Sequence, residues 1–400
     1  MKKMYIIGGG TVNKIAPHLQ LCSYASGNTA DELMGYTDFP NFHNLEKKLI
    51  LTRMAQGNDS LYTVDQLRRF IEELVAFNDT KIIIMTAAIC DFAPSYLGSE
   101  RLRSDKNYDM TLYGSQPKII DLIRRERKDI FLVSFKQTHD ADVKKMFELG
   151  LKQCKRSSSN LVFVNDSETR KCMIVTPEES SYCYGWERSK ALRQLMHMTS
   201  LRSNLSFTRS TVVSGESVSW LDDRIPFNLR QAVNHCIKKG AYKVFNGSTV
   251  GHFAVKIDSN RFLTSIRGTN FNQIEQNGLV EIVTDGPDNV IAYGSKPSVG
   301  GQSQRIIFDK YPDMDCILHF HCPNKVEMTS VSQFAFECGS HECGQNAADG
   351  LIKYDEGLYC VNITNHGPNI VFNKDYPLDK LLSFIDHHFD LTKKTVGYTL

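Results

Sequence analysis

The sequence predicts an α/β chain of two domains: a parallel-sheet domain, then an α/β/α domain layered on a largely antiparallel sheet. Three observations predict it. The chain has 400 residues, enough for two domains of ordinary size, each with its own core. The first half alternates short β-rich runs with helical stretches, as a parallel sheet with helices on both faces requires. The second half runs one helix into a series of short strands. The boundaries expected are residues 1–200 and 215–400.

The elements follow in order. KMYIIGGG is a strand that breaks into glycines. A helix is predicted from about Thr63 to Phe77, because Thr63 and Gln66 stand at capping-box spacing and Leu67, Ile71, Leu74 and Val75 share one apolar face. KIIIMTAAICDF, DIFLVSF and SNLVFVND supply further strands, with a charged helix near residues 140 to 153. SLRSNLSFTRSTVVSGE, residues 200–216, is rich in Ser, Thr and Arg and has no sustained period, so it reads as a linker or surface-running connection. Beyond it come a helix around Pro226 to Lys239 and the strands VGHFAVKI, RFLTSI, LVEIVT, NVIAYG, CILHFH and LYCVNITNHG.

Lys plus Arg (47) and Asp plus Glu (45) nearly cancel. That balance gives no electrostatic footprint for nucleic acid or a membrane surface, and small molecules are the expected partners. No apolar run approaches the roughly 18–20 residues of a membrane span, and MKKMYIIGGG reaches glycine too early for a signal peptide, so a soluble cytoplasmic chain is expected. Eleven cysteines, odd in number and scattered, fit free thiols in a reducing compartment.

CILHFHCP, residues 316–323, carries the chemistry. Side chains alternate along a strand, so His319 and His321 project from one face while Phe320 faces the other way. Two hydrogen-bonded histidines at a sheet edge would also satisfy that pattern. His366, at the end of the apolar run YCVNITNHG, tips the reading toward three nitrogen ligands with an open position, the arrangement of a catalytic zinc.

KPSVGGQSQRIIFDKYPDMDCILHFHCP, CGSHECGQNAADGL and NITNHGPNIVF together resemble the zinc-dependent class II aldolase and epimerase family over roughly residues 222 to 390. The resemblance implies zinc or another divalent cation on His319, His321 and His366, a phosphorylated sugar-like substrate, an enediolate stabilised by Lewis-acid chemistry, and a homo-oligomer, usually a tetramer with sites between subunits. It also implies a phosphate-binding set in GSTVGHFAVKI, TSIRGTN and KPSVGG: Asn246, Gly247, Ser248, Gly251, Arg267, Gly268 and Ser298. Where the aldolases carry an acid/base glutamate, this chain has Gly300. Glu337, His341 and Tyr398 are the catalytic replacements considered, beside Gln302 and Glu342; Glu342 equally fits a structural role at a helix start. Cys338 and Cys343 flank His341 and read as buried thiols, not ligands. Dehydration, epimerisation or decarboxylation on the same scaffold remains open, as does a catalytically degenerate ligand-sensing or assembly protein.

In the first half, MYIIGGGTVNKIAPHLQLCSYASG, TAAICDF, RLRSDKNYDMTLYGSQPKIIDLI, FLVSFKQTH and SSSNLVFVND resemble, in order and spacing, the phosphopantothenate–cysteine ligase family over about residues 1 to 170. The implied fold is a Rossmann-like ligase-type domain that binds CTP or ATP. Gly8, Gly9, Gly10, Thr11, Asp91 and Asn165 match the family's nucleotide-side positions. Ser23 stands where the ligases have an asparagine before a Ser-Ser-Gly turn, and Arg101, Leu102, Arg103 and Ser104 replace a lysine-rich segment. A ligand-free scaffold is the alternative.

Overall fold

The computed structural model describes every residue except 96–97, 115–117, 246, 288, 299–300 and 396–400, together with all side chains of the ordered elements other than 301–303. The chain forms two compact units, one from Met1 to Asn204 and the other beginning at Leu205.

In the first unit, strands Glu46–Leu51, Lys3–Gly8, Thr80–Met85, Phe131–Thr138 and Leu161–Asp166 lie side by side in that order, all parallel. Cys172–Val175 and Ser181–Tyr182 then extend the sheet antiparallel. Numbered along the chain, the parallel strands run 2-1-3-4-5, a doubly wound order whose ligand crevice is expected between the ends of the first and third strands. Both faces are covered. Tyr5, Ile7, Ile83 and Met85 pack with Leu67, Ile71 and Leu74 of helix Val64–Ala76 and with Ile119 and Ile123 of helix Ile119–Glu126. Met4, Ile6, Ile82 and Ile84, on the opposite face, are fully buried as well. The capping box forms as its spacing predicts: the Thr63 hydroxyl accepts from the Gln66 N–H, and the Gln66 side chain accepts from the Thr63 N–H.

The second unit is built on one large sheet, in the order Arg209–Val213, Asn289–Tyr293, Leu279–Thr284, Arg261–Ser265, His252–Lys256, Cys316–His319, Gly367–Phe372, Leu358–Ile363 and Ser330–Val331. Its central pairings are antiparallel. Helices Phe227–Lys239 and Leu378–His388 cover one face through Leu229, Val233, Leu381 and Ile385, against Phe253, Leu318 and Phe372. Helices Gly301–Lys310 and His341–Asp349 cover the other through Ile307, Phe308 and Ala347, against Ala254, Ile317 and Val371. The result is the α/β/α layering expected.

One expectation is corrected. Part of the stretch read as a linker is ordered sheet: Arg209–Val213 pairs in parallel with Asn289–Tyr293. The strand is an edge strand with four of its five residues exposed, so it needs no alternating apolar pattern, and its β-branched Thr211, Val212 and Val213 suffice. No helix among the described residues is long and apolar enough to cross a membrane.

Asp166 closes the first unit's strand Leu161–Asp166. One carboxylate oxygen accepts from the Thr138 hydroxyl (2.8 Å) and the Ala141 N–H (3.0 Å). The other accepts from the N–H groups of Glu168 and Thr169 and from the Thr169 hydroxyl. Burial alone would raise its pKa; the five donors outweigh that and hold it well below the ordinary carboxylate range. A depressed folded-state pKa contributes stability that is complete above the unfolded value of about 3.9 and is lost as pH falls through the folded value. Asp166→Asn should therefore destabilise the first unit at pH 7, and the gap from wild type should narrow steadily below about pH 4. Melting of the full chain followed by circular dichroism across that range checks it.

Candidate metal centre

The strand Cys316–His319 alternates as its sequence demands. Cys316, Leu318 and Phe320 enter one core, while Ile317 enters the other, and His319 and His321 share the latter side. His366 arrives from the turn Thr364–His366 that joins Leu358–Ile363 to Gly367–Phe372. Asn365 takes the left-handed conformation there (φ 60°), which asparagine tolerates better than most residues. The three imidazoles are 1 %, 6 % and 4 % exposed, and one nitrogen from each lies within 4.8 Å of the others. Ring centroids are 5.0 Å apart for His319 and His321, 4.8 Å for His319 and His366, and 4.2 Å for His321 and His366.

His319 is held in one orientation. Its Nδ1 lies 2.7 Å from the Pro368 carbonyl, an acceptor only, so Nδ1 carries the proton and Nε2 presents its lone pair. That Nε2 is buried with no hydrogen-bond partner among the described residues. Burial, then the neighbouring His252 and His366, holds the ring neutral, with its pKa well below the ordinary value. A neutral imidazole, fixed by a backbone carbonyl with its other nitrogen bare, fits a divalent cation.

Glycine makes the geometry possible at two positions. A Cβ on Gly367 (φ 141°) would fall 2.1 Å from the Phe320 carbonyl oxygen, and one on Gly251 (φ 114°) would fall 2.6 Å from that of His319. Both glycines therefore let neighbouring strands close on the peptide that links the first two histidines. Gly251, inferred from sequence as a phosphate contact, is thus also required for packing. Gly247 and Gly268, by contrast, have left-handed φ and open space where a Cβ would stand.

The remaining sequence-predicted residues separate. Arg267, Ser298 and Glu337 line one cavity of about 230 Å³ together with Thr208, Cys338 and Gly339. The Ser248 hydroxyl is turned to the Phe245 carbonyl. His341 bonds through Nε2 to the Thr208 hydroxyl. Asn246, Gly300 and Tyr398 lie outside the described residues, as does the Gln302 side chain; Thr395 donates its N–H to the His321 carbonyl. Cys338, read from sequence as a buried thiol, is in hydrogen-bonding contact with Cys343 and His366; the Cys343 contact and burial raise its pKa against the pull of His366. Glu342 accepts from the Ser206 N–H with both oxygens.

In the first unit, the turn Gly8–Thr11 is occupied by the chain itself. Cβ atoms on Gly8, Gly9 and Gly10 would fall 2.5, 2.2 and 2.3 Å from Ala30, Thr52 and Met54. The Thr11 hydroxyl donates to the Ala88 carbonyl and accepts from the Cys90 N–H. Tight internal packing thus requires glycine at each of these three positions. Asp91 pairs with Lys118 at 2.8 Å, and Asn165 lies half-buried at its strand end.

Sequence reasoning missed three polar residues beside the histidines. His252, His319 and Asn369 pair across adjacent strands and so share a face; Gln304 reaches His252 from the covering helix. The signal for His252 was present: a histidine following glycine at the start of an apolar alternation, GHFAVKI. Gly367→Ala should reduce divalent-metal uptake at least tenfold, because the added methyl must displace the Phe320–His321 peptide. Stoichiometry by inductively coupled plasma mass spectrometry after zinc loading checks it, with Gly268→Ala, whose Cβ meets open space, retaining full uptake.

Residues 231–370 match the family model of the class II aldolase and adducin N-terminal domain, and residues 56–199 match that of the DNA/pantothenate metabolism flavoprotein C-terminal domain. Among curated proteins, the coenzyme A biosynthesis bifunctional protein CoaBC of Thermococcus kodakarensis is 23 % identical over 169 residues, which cover 41 % of each chain. The chain thus spans about two fifths of that relative's length. Similar solved structures include the DNA/pantothenate metabolism flavoprotein from Streptococcus pneumoniae (17 % identity, TM-score 0.42, covering 49 % of this chain and 97 % of that one). Another is an L-fuculose 1-phosphate aldolase (16 % identity, TM-score 0.29, covering 40 % and 84 %). The chain therefore joins a domain of the DNA/pantothenate metabolism flavoprotein C-terminal type to one of the class II aldolase and adducin type.

Proposed function

We propose that the second domain is a divalent-metal lyase of aldolase type, with zinc as its resident ion, acting on a phosphorylated small molecule. The observation that carries this reading is the bare, buried Nε2 of His319 within the three-histidine cluster. A bound cation would supply Lewis-acid polarisation of carbonyl and hydroxyl oxygens. The chain's own residues do the rest. His319, His321 and His366 hold the cation, with His319 oriented by the Pro368 carbonyl. Arg267, Gly268 and Ser298 receive the phosphate, the guanidinium by charge-assisted hydrogen bonds. Glu337, on the same cavity as Arg267 and Ser298, moves the proton that Gly300 cannot. The domain assembles as a homo-oligomer, as its family resemblance implies. Epimerisation, dehydration and decarboxylation use the same polarised oxygens and are the alternative outcomes.

For the first domain we infer a ligase-like nucleotide site for CTP or ATP at the strand ends near Asp91 and Asn165. A second reading, a ligand-sensing or assembly scaffold, is favoured by the self-filled Gly8–Thr11 turn.

Three measurements test these readings. The double variant His319→Ala/His366→Ala should lose stoichiometric zinc and keep its fold, since catalytic metals support folding less than structural ones; full metal content in that variant would refute the site. With zinc bound, the wild type should catalyse deuterium exchange into a ketose phosphate such as dihydroxyacetone phosphate, and Glu337→Gln should slow it by about a hundredfold or more. For the first domain, CTP or ATP at about a hundred times its dissociation constant should stabilise the fold by roughly 2.7 kcal/mol. Unmoved melting curves at millimolar nucleotide would leave the scaffold reading.

A further inference from the structure

His252 belongs to no assigned role, yet it stands directly opposite His319 in the antiparallel pair, on the same face. The two rings are stacked, with centroids 4.6 Å apart and planes 27° from parallel. His252 is 5 % exposed, so its polar atoms must find partners inside the protein or on a ligand. One partner is Gln304, itself fully buried, whose Nε2 lies 2.7 Å from His252 Nδ1. An amide N–H donates there, which makes Nδ1 the acceptor and leaves the ring proton on Nε2. The adjoining Gln304 Oε1 and, across His319, Asn369 Oδ1 are buried without hydrogen-bond partners among the described residues. A polar row prepared to this degree is built to meet a ligand.

We propose that His252, held by Gln304 as the Nε2–H tautomer, contacts the ligand directly and donates a hydrogen bond to an anionic oxygen of an enediolate-like group seated at the three-histidine site. Gln304 is the positioning residue: by donating to Nδ1 it fixes which nitrogen carries the proton. The ligand class is a vicinal dioxygen anion, and the contribution is one charge-assisted N–H bond rather than a fourth bond to the cation. His319 and His252 thereby divide the work between tautomers. His319 gives its proton to a carbonyl and offers a lone pair, whereas His252 accepts from an amide and offers a proton. The inference rests on the metal reading proposed above.

The test uses the full chain loaded with cobalt(II), whose visible spectrum reports both occupancy and bound anion, and acetohydroxamate as the dioxygen probe. His252→Phe keeps the stacked ring and removes both nitrogens. It should retain one cobalt per chain and bind acetohydroxamate about ten- to a hundredfold more weakly. Gln304→Glu places an acceptor opposite Nδ1, moves the ring proton there and should cause a comparable loss; Gln304→Met should lose less. In the metal-free wild type, ¹⁵N-histidine spectra should show one buried imidazole as the Nε2–H tautomer, switching to Nδ1–H in Gln304→Glu; the acetohydroxamate loss must accompany that switch, which a merely structural glutamine would not require. If His252→Phe does not fold, Gln304→Glu carries the same test. Unchanged acetohydroxamate affinity in cobalt-loaded variants overturns the proposal and leaves the metal site standing. Loss of cobalt in His252→Phe also overturns it, by making His252 a ligand. A wild type that takes up no cobalt overturns the metal reading itself.

Discussion

The hydrogen bond from His319 Nδ1 to the Pro368 carbonyl, 2.7 Å long, is the constraint on which the second domain's site depends. It joins two neighbouring strands at the point where both end, and it decides which nitrogen of His319 faces inward. The bond forms only if the strands are in register, His319 opposite Asn369, and if the chain can turn sharply at Asn365 to bring Pro368 alongside. A slip of one residue would turn His319 toward the core that holds Leu318 and Phe320. Gly251 and Gly367 belong to the same constraint, because each lets a neighbouring strand approach the carbonyls of His319 and Phe320 more closely than a Cβ allows.

The energetics argue that this arrangement is not an accident of packing. His319 Nε2, Gln304 Oε1 and Asn369 Oδ1 are buried without partners among the described residues, and such groups cost roughly 1–3 kcal/mol each. Three of them weigh heavily against a net domain stability of about 5–15 kcal/mol. Apolar substitutes of similar volume would remove that penalty. Polar atoms kept at such a cost, in one row and beside an aligned histidine cluster, are what the proposed ligand would satisfy.

Much of this was legible in the sequence. The alternation around His319 and His321, the glycine after His366 and the Thr63–Gln66 spacing are local signals, and local signals survive into the fold. What was illegible depended on pairing between distant segments. Nothing in GHFAVKI states that its histidine will lie opposite His319, because register is set by the whole sheet. Gln304 could be placed against His252 only once the helix Gly301–Lys310 was known to cover that face. The glycines mislead for a related reason: a glycine that admits a phosphate and one that admits a neighbouring strand look alike in sequence. At Gly251 the neighbouring strand alone is reason enough for glycine. Arg209–Val213 escaped notice because an exposed edge strand has no buried face to impose a period.

The first domain shows the same ambiguity with a different outcome. Its strand order places the expected ligand crevice between the ends of Lys3–Gly8 and Thr80–Met85, where the three glycines stand. Gly10 and Ala88 form a bridge across that gap, the Thr11 hydroxyl ties into Ala88 and Cys90, and Thr52 donates to the Gly10 carbonyl. These bonds engage the Gly10 carbonyl and the Thr11 hydroxyl and so fix the shape of the turn. Charge is available further along the same edge, where Lys136 is pushed below its ordinary pKa by burial first and then by Lys118, with Arg156 adding to the repulsion and Asp91 opposing it. Cations that raise one another's cost in this way gain most from an anion placed among them. The cationic side chains near Asp91 therefore stand as candidate phosphate partners beside the glycine turn.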